Sequence, residues 1–262
     1  MDFDFSDDQE QLRDAVRKWV DKGYDFDRRR AIVAAGGFDR AAYGEMAELG
    51  LTGLYVSEDH GGMGMGPTEA MVTMEELGRG IVLEPLTQTL MCSATLQTHA
   101  PAALQAAWLP RMAAGEAIVV LAHQERAARY QLSRCATLAS ESNGAWSVTG
   151  TKSVVAVGDQ ADAFVVPATV NGQIALFLVE RTASGVSTQA YITQDGSRAA
   201  EVVLNKATAQ LITLNGLAAL EEAVDIGIAC TCAEAVGVMD KTMAITVDYM
   251  NTRKQFLSLI HI

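Results

Sequence analysis

Apolar residues recur at helical spacing through the first third of the chain. Leu12, Val16 and Val20 fall on one helical face, and Ser6 and Gln9 ahead of them have the spacing of a capping box. Gly and Pro residues between the periodic segments separate one helix from the next. Further helices are predicted to begin at Asp39, Pro67, Glu84 and Pro101.

Pro110 lies inside the last of these segments, which the pattern extends over residues 101–114. Proline has no amide hydrogen, and its ring clashes with the carbonyl of the preceding turn. We therefore expect a break in the middle of this helix.

The pattern changes near Ala117 to short apolar runs with β-branched residues. Asn143-Gly144 and Asn171-Gly172 are hairpin signals, because type I′ turns need positive φ at both central positions. Nothing between the runs has helical spacing, so an antiparallel β-domain is predicted. Its strands are expected over residues 135–140, 146–149, 152–157, 163–170, 174–179 and 199–204.

Helical spacing returns at about Leu217 and continues to Arg253. A single long helix cannot bury its own apolar face, so further chain or a partner must cover it. The apolar positions along one side are Ala223, Ile226, Cys230, Ala233, Val236 and Met243.

The fold class predicted from this order is α+β. An N-terminal helical domain (1–116) precedes a middle β-domain (117–215), and residues 216–256 supply the first helix of a truncated C-terminal bundle. Residues 257–262 read as a non-native tail, with the form of a translated sequencing-adapter end.

Composition excludes several classes of function. Of 262 residues, 49% are hydrophobic and 20% charged, with a formal net charge of −12 and no cluster of Lys and Arg, so a nucleic-acid groove is not expected. The four Cys and four His residues lack the spacing of a zinc site. Because neither a signal peptide nor an apolar run of about 18 to 20 residues is present, we expect a cytoplasmic protein without a membrane span.

Six segments in order resemble the acyl-CoA dehydrogenase family, over nearly the whole chain. This resemblance implies the fold above and an FAD-dependent oxidation of an acyl-CoA. The segments are FSDDQEQLRD at 5–14, LGL through VSEDHGGMG at 49–64, EELGR at 75–79, WLPRMAAGE at 108–116, GTK at 150–152 and DYMNTRKQF at 248–256. The GTK segment resembles a turn of the family's β-domain.

Within the family, the segments at 124–130, 193–201 and 232–240 are most similar to the small subunit of pimeloyl-CoA dehydrogenase. This similarity implies a medium-chain dicarboxylyl-CoA, such as pimeloyl-CoA, as substrate. It also implies a heteromer with a larger homologue, whereas other family members form homotetramers through the C-terminal bundle. Electrons would pass from the reduced flavin to an electron-transferring flavoprotein.

Four residues stand at positions that contact FAD in the family. Arg253, Gln255 and Phe256 match the positions that reach the FAD of a neighbouring subunit, and Gln124 stands where a Thr contacts the flavin edge. An arginine there can pair with the pyrophosphate through its planar fork.

At two positions the chain departs from the residues that are usual in the family. Val154 and Ala156 replace the usual flavin-stacking Trp and flavin-bonding Thr. These departures leave open a second interpretation, in which the chain is a non-catalytic partner subunit of a heteromeric dehydrogenase. An acyl-CoA oxidase or a nitrogen-oxidising relative is a third.

Arg126 and Arg129 lie near the expected substrate entrance. One of them is a candidate for binding the free carboxylate of a dicarboxylyl-CoA or a CoA phosphate, and surface charge on a loop is the alternative. No catalytic residue is assigned, because the proton-abstracting carboxylate is expected beyond residue 262. Some family members carry it at the position of Gly227, which has no side chain to do that work.

Overall fold

The computed structural model describes residues 4–255 and 258–259. The predicted Ser6–Gln9 capping box is present at the start of the first helix, and Asp25 and Asp39 cap the next two with their side chains. The helices before the sheet are α1 (Asp7–Gly23), α2 (Phe26–Ala34), α3 (Arg40–Glu48), α4 (Pro67–Gly80), α5 (Leu86–His99) and α6 (Ala102–Ala113), with short 3₁₀ turns at Leu51–Gly53 and Glu58–His60.

Two features of the helical region differ from the sequence prediction. Helix α2 was missed because it buries only Ile32 and therefore shows no apolar periodicity. The predicted break at Pro110 is wrong, since α6 is continuous through it. Pro110 lies in the last turn, where it removes one backbone hydrogen bond, and the buried neighbours Trp108 and Met112 hold that turn against the core.

The central region is a seven-stranded sheet. Both Asn-Gly hairpins are confirmed, with φ of 53° and 80° at Asn143 and Gly144 and of 49° and 81° at Asn171 and Gly172. The strands are β1 (Val119–Leu121), β2 (Leu138–Ser142), β3 (Ala145–Ala156), β4 (Ala163–Val170), β5 (Gln173–Glu180), β6 (Val186–Ile192) and β7 (Arg198–Thr213).

The sheet is not antiparallel throughout. Strand β1 pairs in parallel with β4, which lies beyond the β2–β3 hairpin in sequence, and β2 makes one parallel pairing with β4. The two predicted strands at 146–149 and 152–157 are one bulged strand, so the Gly150-Thr151-Lys152 segment lies inside β3 and does not form a turn. Strand β6 was missed, since it is a largely exposed edge strand paired only with β7 among the described strands.

The predicted long helix is confirmed as α7 (Gly216–Thr252), with 37 residues. Its first two thirds are buried on one side, whereas Val236 and Met243 on the predicted apolar face are 47% and 68% exposed. The last described segments, β8 (Lys254–Gln255) and β9 (Ser258–Leu259), form a short antiparallel ladder. No helix in the described part of the chain has the length and hydropathy needed to cross a bilayer.

Helices α4 and α7 cross at very close range. A Cβ added at Gly78 would collide with the carbonyl of Glu234, and one added at Gly237 would collide with the carbonyl of Glu75. Arg79 of α4 forms an ion pair with Asp240 of α7 next to this crossing. The glycines therefore fix how near α7 lies to α4, and so position the face of α7 that points toward the sheet.

Candidate functional site

A cavity of about 320 Å³ opens where α4, α7 and the sheet meet, and we call it the central cavity. The turn between α4 and α5 supplies Glu84, strand β3 supplies Val154 and Ala156, and α7 supplies Thr231 and Glu234. The tip of the β6–β7 hairpin closes it with Asp195 and Arg198. Its size falls within the range of about 300 to 1,000 Å³ that small-molecule sites occupy.

Strand β3 is distorted where it forms the cavity wall. The register with β7 shifts between Lys152 and Val155, and Val154 has φ of 53°. Positive φ is strained for a β-branched residue, and such strain is concentrated at functional sites. The bulge leaves the Val154 side chain half exposed on the cavity side instead of in the sheet core.

A buried ion pair anchors β3 immediately before this bulge. Lys152 is fully buried, and its Nζ donates to Glu125 Oε1 at 2.7 Å and to the Pro167 carbonyl at 2.8 Å. Glu125 also accepts from Thr137 N at 3.1 Å, Thr137 Oγ1 at 2.7 Å and Ala136 N at 2.7 Å. Burial alone would raise the pKa of Glu125, but these hydrogen bonds, led by that from Lys152, lower it to about 2.

The sequence patterns do not indicate this pair. Lys152 belongs to the GTK segment, and Glu125 has no predicted role. No spacing connects the two residues, which are 27 positions apart on different elements. An acid and a lysine within apolar, strand-like segments are the signal that would have indicated them, because buried charges must be paired.

His123 lies beside this pair and is largely buried, with no hydrogen-bond partner for Nδ1. Burial, helped by the charge of Lys152, lowers the pKa of His123 to about 4. The imidazole is therefore neutral at physiological pH.

Two acids of the central cavity, Glu84 and Glu234, form no ion pair with any described residue. Glu84 is 5% exposed, and neither of its carboxyl oxygens makes a hydrogen bond of acceptable geometry. Burial raises the pKa of Glu84, and the nearby Tyr24 hydroxyl offsets this only in part. Burial together with the negative charge of Asp195 raises the pKa of Glu234.

Arg198 is the only cation among the described residues of the cavity lining, and it is already engaged. Its Nε and Nη2 donate to Asp159 at 2.8 and 2.6 Å, and its Nη1 donates to the Gly36 carbonyl at 3.1 Å. It joins the sheet to the loop after α2. The lining therefore has acidic side chains and no uncommitted positive charge.

The residues predicted from sequence to contact flavin or substrate do not converge on the central cavity. Gln124 is exposed next to the cavity wall, with its carbonyl accepting from Ser153 N at 2.8 Å. Arg126 is 83% exposed, with its guanidinium 3.6 Å from Glu201. Arg129 is also exposed, and neither arginine is part of the lining.

Arg253 lies at the far end of α7, with its guanidinium 5.9 Å from the Tyr249 ring. It is 19 residues beyond Glu234, or about 28 Å along the helix at 1.5 Å per residue. Gln255 follows in β8, and Phe256 lies outside the described residues. Arg253 and Gln255 are thus remote from the cavity of their own chain. No group of side chains able to hold a metal ion occurs in the described part of the molecule.

Comparison with solved structures identifies the fold. The chain has the acyl-CoA dehydrogenase-like fold, with a helical N-terminal region, a central sheet and a C-terminal helix. It superimposes on glutaryl-coenzyme A dehydrogenase in complex with glutaryl-CoA with a TM-score of 0.92 at 23% identity, covering 100% of this chain and 71% of that one. The TM-score with the Tcur3481–Tcur3483 steroid ACAD is 0.87 at 28% identity, covering 95% and 68%.

Sequence comparison gives matches to acyl-CoA dehydrogenases. Residues 6–116 match the family model "Acyl-CoA dehydrogenase, N-terminal domain". Acyl-CoA dehydrogenase FadE27 of Mycobacterium tuberculosis is 26% identical over 223 residues, covering 84% of this chain and 58% of the relative. Benzylmalonyl-CoA dehydrogenase of Aromatoleum aromaticum is 28% identical over 192 residues, covering 71% and 51%.

The likeness to acyl-CoA dehydrogenases predicted from the sequence is confirmed by these matches. The chain spans little more than half the length of these two curated relatives. Likeness to the pimeloyl-CoA dehydrogenase small subunit in particular stays a prediction.

Proposed function

We propose that the protein is an FAD-dependent acyl-CoA dehydrogenase, which forms a 2,3-enoyl-CoA from an acyl-CoA. The observation that carries the proposal is the central cavity, enclosed by the bulged strand β3 on one side and α7 on the other. In support, solved structures of this fold include complexes of glutaryl-CoA dehydrogenases with glutaryl-CoA and with FADH2.

The residues present fit a flavin ring by shape. Val154 and Ala156 give one wall of the cavity a small, apolar surface against which a planar ring can lie. Gln124, exposed in the segment that follows β1, would offer its side-chain amide to a ring edge. FAD, when bound, supplies the two-electron acceptor for a hydride from the β-carbon of the acyl group.

In this proposal, the remaining predicted FAD contacts are made between subunits, either between two copies of this chain or with a homologous subunit. Arg253, Gln255 and Phe256 would contact the FAD of a neighbouring subunit, since Arg253 is about 28 Å along α7 from Glu234. A homo- or hetero-tetramer, with an electron-transferring flavoprotein as redox partner, is part of the same proposal. A cytoplasmic location stays a prediction.

The chain's own part in the reaction is to orient the thioester and exclude water. Met74 and Leu77 of α4, with Val82 and Leu83 after it, line the cavity with apolar side chains and lower its dielectric. A low dielectric strengthens any dipole that polarises the thioester carbonyl. The carboxylate that removes the α-proton is not assigned, because Gly227 has no side chain at the helix position that some family members use.

The proposed substrate in its finer form is pimeloyl-CoA or another dicarboxylyl-CoA. Support comes from the sequence resemblance and from Arg126 and Arg129, two exposed cations in one loop. Each would be replaced by Met, and dicarboxylyl-CoA and monocarboxylyl-CoA compared as substrates. A selective loss on the dicarboxylyl substrate is expected, and equal losses on both would refute a role in binding the terminal carboxylate.

The activity itself is tested on the full-length protein as purified. We expect flavin absorbance, bleaching on anaerobic addition of an acyl-CoA, and an enoyl-CoA product by mass spectrometry. A colourless protein that stabilises a homologous subunit would contradict the enzyme and support a non-catalytic partner. Oxygen consumption in step with turnover would indicate an oxidase.

A further inference from the structure

The turn between β6 and β7, residues 193–197, forms one wall of the central cavity, and we call it the hairpin tip. Its shape is fixed by its own hydrogen bonds. The Asp195 carboxylate accepts from Ser197 N at 3.1 Å and from Ser197 Oγ at 3.0 Å, and Thr193 N donates to the Ser197 carbonyl at 2.8 Å. The hairpin tip is therefore one small unit, and its position over the cavity depends on the contacts that hold this unit from outside.

Arg29 of α2 connects the hairpin tip to the end of α4. Its Nη2 donates to the Asp195 carbonyl at 2.8 Å, and its Nε donates to the Ile81 carbonyl at 2.8 Å. Ile81 is the C-cap residue of α4, and Val82 and Leu83 directly after it line the cavity. One guanidinium thus bridges two walls of the cavity, and its planar fork fixes the direction of both hydrogen bonds.

The packing of α2 supports a role in holding the hairpin tip. The helix buries only Ile32, so apolar burial explains little of its placement. A Cβ added to Gly196 would come within 2.7 Å of Val33 Cγ2, and one added to Gly37 would collide with the Gly196 carbonyl. Such close packing stops the hairpin tip from moving closer to α2, and the hydrogen bonds of Arg29 stop it from moving away.

A second arginine holds the base of the same hairpin. Arg198, at the start of β7, donates to the Asp159 carboxylate and to the Gly36 carbonyl. Because Arg198 also lines the cavity, replacing it would change the lining as well as the position of the hairpin tip. Arg29 is not part of the lining, so a change at Arg29 acts on the cavity through the hairpin tip and the end of α4.

We propose that Arg29 is a positioning residue for the central cavity: it holds the hairpin tip against the end of α4 and so fixes one wall of the site in which the flavin ring lies. The proposal rests on the proposed function for the identity of the cavity as the flavin site. A site that orients two reacting groups must be held closely, since a displacement of about 1 Å can reduce the rate by about a hundredfold. Without the two hydrogen bonds the hairpin tip is free to move, and the ring loses a fixed wall.

The variant Arg29→Met removes both donors and keeps an apolar stem, and Arg30→Met is its matched control. Arg30 is the next residue of α2, its side chain is 71% exposed, and its guanidinium is 3.9 Å from Asp27 of the same helix. Both variants lose one positive charge from α2. Arg29→Met in addition loses the hydrogen bonds to the hairpin tip and to α4.

The position of the hairpin tip is measured on the full-length protein by hydrogen exchange with mass spectrometry. The amides of Thr193 and Gly196, which are hydrogen-bonded within the tip, report its opening. We expect them to exchange at least about tenfold faster in Arg29→Met, a factor typical of the loss of one hydrogen bond from a charged group. Arg30→Met is expected to exchange at the wild-type rate.

The effect on the site is measured by anaerobic stopped-flow reduction of the bound flavin with hexanoyl-CoA and with pimeloyl-CoA. We expect the rate constant for reduction at saturating thioester to fall by about tenfold or more in Arg29→Met. The dissociation constant of the thioester, obtained from the same titration, and the thermal denaturation midpoint are expected to match those of Arg30→Met. A merely structural role would lower the midpoint and leave the rate constant of the folded protein unchanged.

The conservative variant Arg29→Lys keeps the charge but lacks the planar fork, so both readouts should lie between wild type and Arg29→Met. It also decides the question if Arg29→Met cannot be obtained folded. Unchanged exchange at the hairpin tip would overturn the proposal, and so would faster exchange with an unchanged rate constant for reduction. The proposed function fails separately, if neither thioester reduces the flavin of wild type; hydrogen exchange alone then decides whether Arg29 positions the hairpin tip.

Discussion

Glu125 in the sheet and Glu234 at the central cavity are both carboxylates removed from bulk water, but their surroundings differ. Glu125 receives donors from Lys152, Thr137 and Ala136, and its pKa falls to about 2. Glu234 receives none from the described residues, and burial next to Asp195 raises its pKa. Glu125 therefore has its hydrogen-bond donors within the chain, whereas Glu234 has none among the described residues.

The difference separates groups that specify structure from groups that are available to a ligand. A fully bonded buried pair locks the chain, because breaking any contact leaves a charge in a low-dielectric interior. The Glu125–Lys152 pair locks β3 just before the bulge that exposes Val154. The sheet thus provides a fixed wall of the cavity, whereas Glu234 lines the cavity without a partner among the described residues.

The largest effect is expected from removing Lys152. In Lys152→Met the Glu125 carboxylate remains buried without its counter-charge, so the free energy of unfolding should fall by about 3 to 5 kcal/mol. Urea denaturation followed by circular dichroism measures it. The double variant Glu125→Gln/Lys152→Met, which buries no charge, should recover much of that loss. A loss below about 1 kcal/mol in Lys152→Met would show that the pair does not anchor the sheet.

The same pair should make the protein sensitive to acid. The folded-state pKa of Glu125, about 2, is below its ordinary value of 4.5, so its contribution to stability is complete above about pH 4.5 and is lost as the pH falls toward 2. Over that window wild type should lose about 2 to 3 kcal/mol more than Glu125→Gln/Lys152→Met. Denaturation midpoints at several pH values give both curves, and parallel curves would exclude Glu125 as the cause.

The stability of the close α4–α7 contact should depend on side-chain volume and not on charge. In Gly237→Ala the new methyl group meets the Glu75 carbonyl of α4, so the helices must separate, at about 1 to 3 kcal/mol. Gly44→Ala is the matched control, because nothing lies within 4 Å of its added Cβ. In the middle of α3 it should stabilise the fold by up to about 1 kcal/mol. Equal thermal denaturation midpoints for the two variants would contradict the close α4–α7 contact.

Local chemistry explains what the sequence could predict. The Asn143-Gly144 hairpin follows from the φ angles its turn demands, and the start of α1 follows from the Ser6–Gln9 capping box. Helix α2 could not be predicted in this way, because a helix with one buried residue has no periodic signal. The predicted break at Pro110 was wrong because the penalty of a proline depends on its position in the helix. Here tertiary packing outweighed that penalty.

The candidate site was harder to predict than the fold. Glu84 and Glu234 are 150 residues apart in sequence, and they line one cavity only because α7 packs against α4 and the turn that follows it. Arg126 and Arg129 were predicted as site residues from their charge. Charged residues, however, are exposed more often than they line cavities. The strained Val154 was visible only as a departure from a family motif, and its role in the wall depends on the bulge in β3.

The smallest expected effect concerns Glu234 itself, and its sign is opposite to that of Glu125. Because the folded-state pKa of Glu234 is raised, the fold favours the neutral carboxyl, and stability is lost as the pH rises through that pKa. Glu234→Gln cannot ionise, so without ligand it should equal wild type at about pH 4 and exceed it at pH 8 by at most about 1 kcal/mol. Thermal denaturation at both pH values measures the difference. A destabilised Glu234→Gln at pH 8 would mean that the carboxylate has a structural partner, and the contrast with Glu125 would no longer hold.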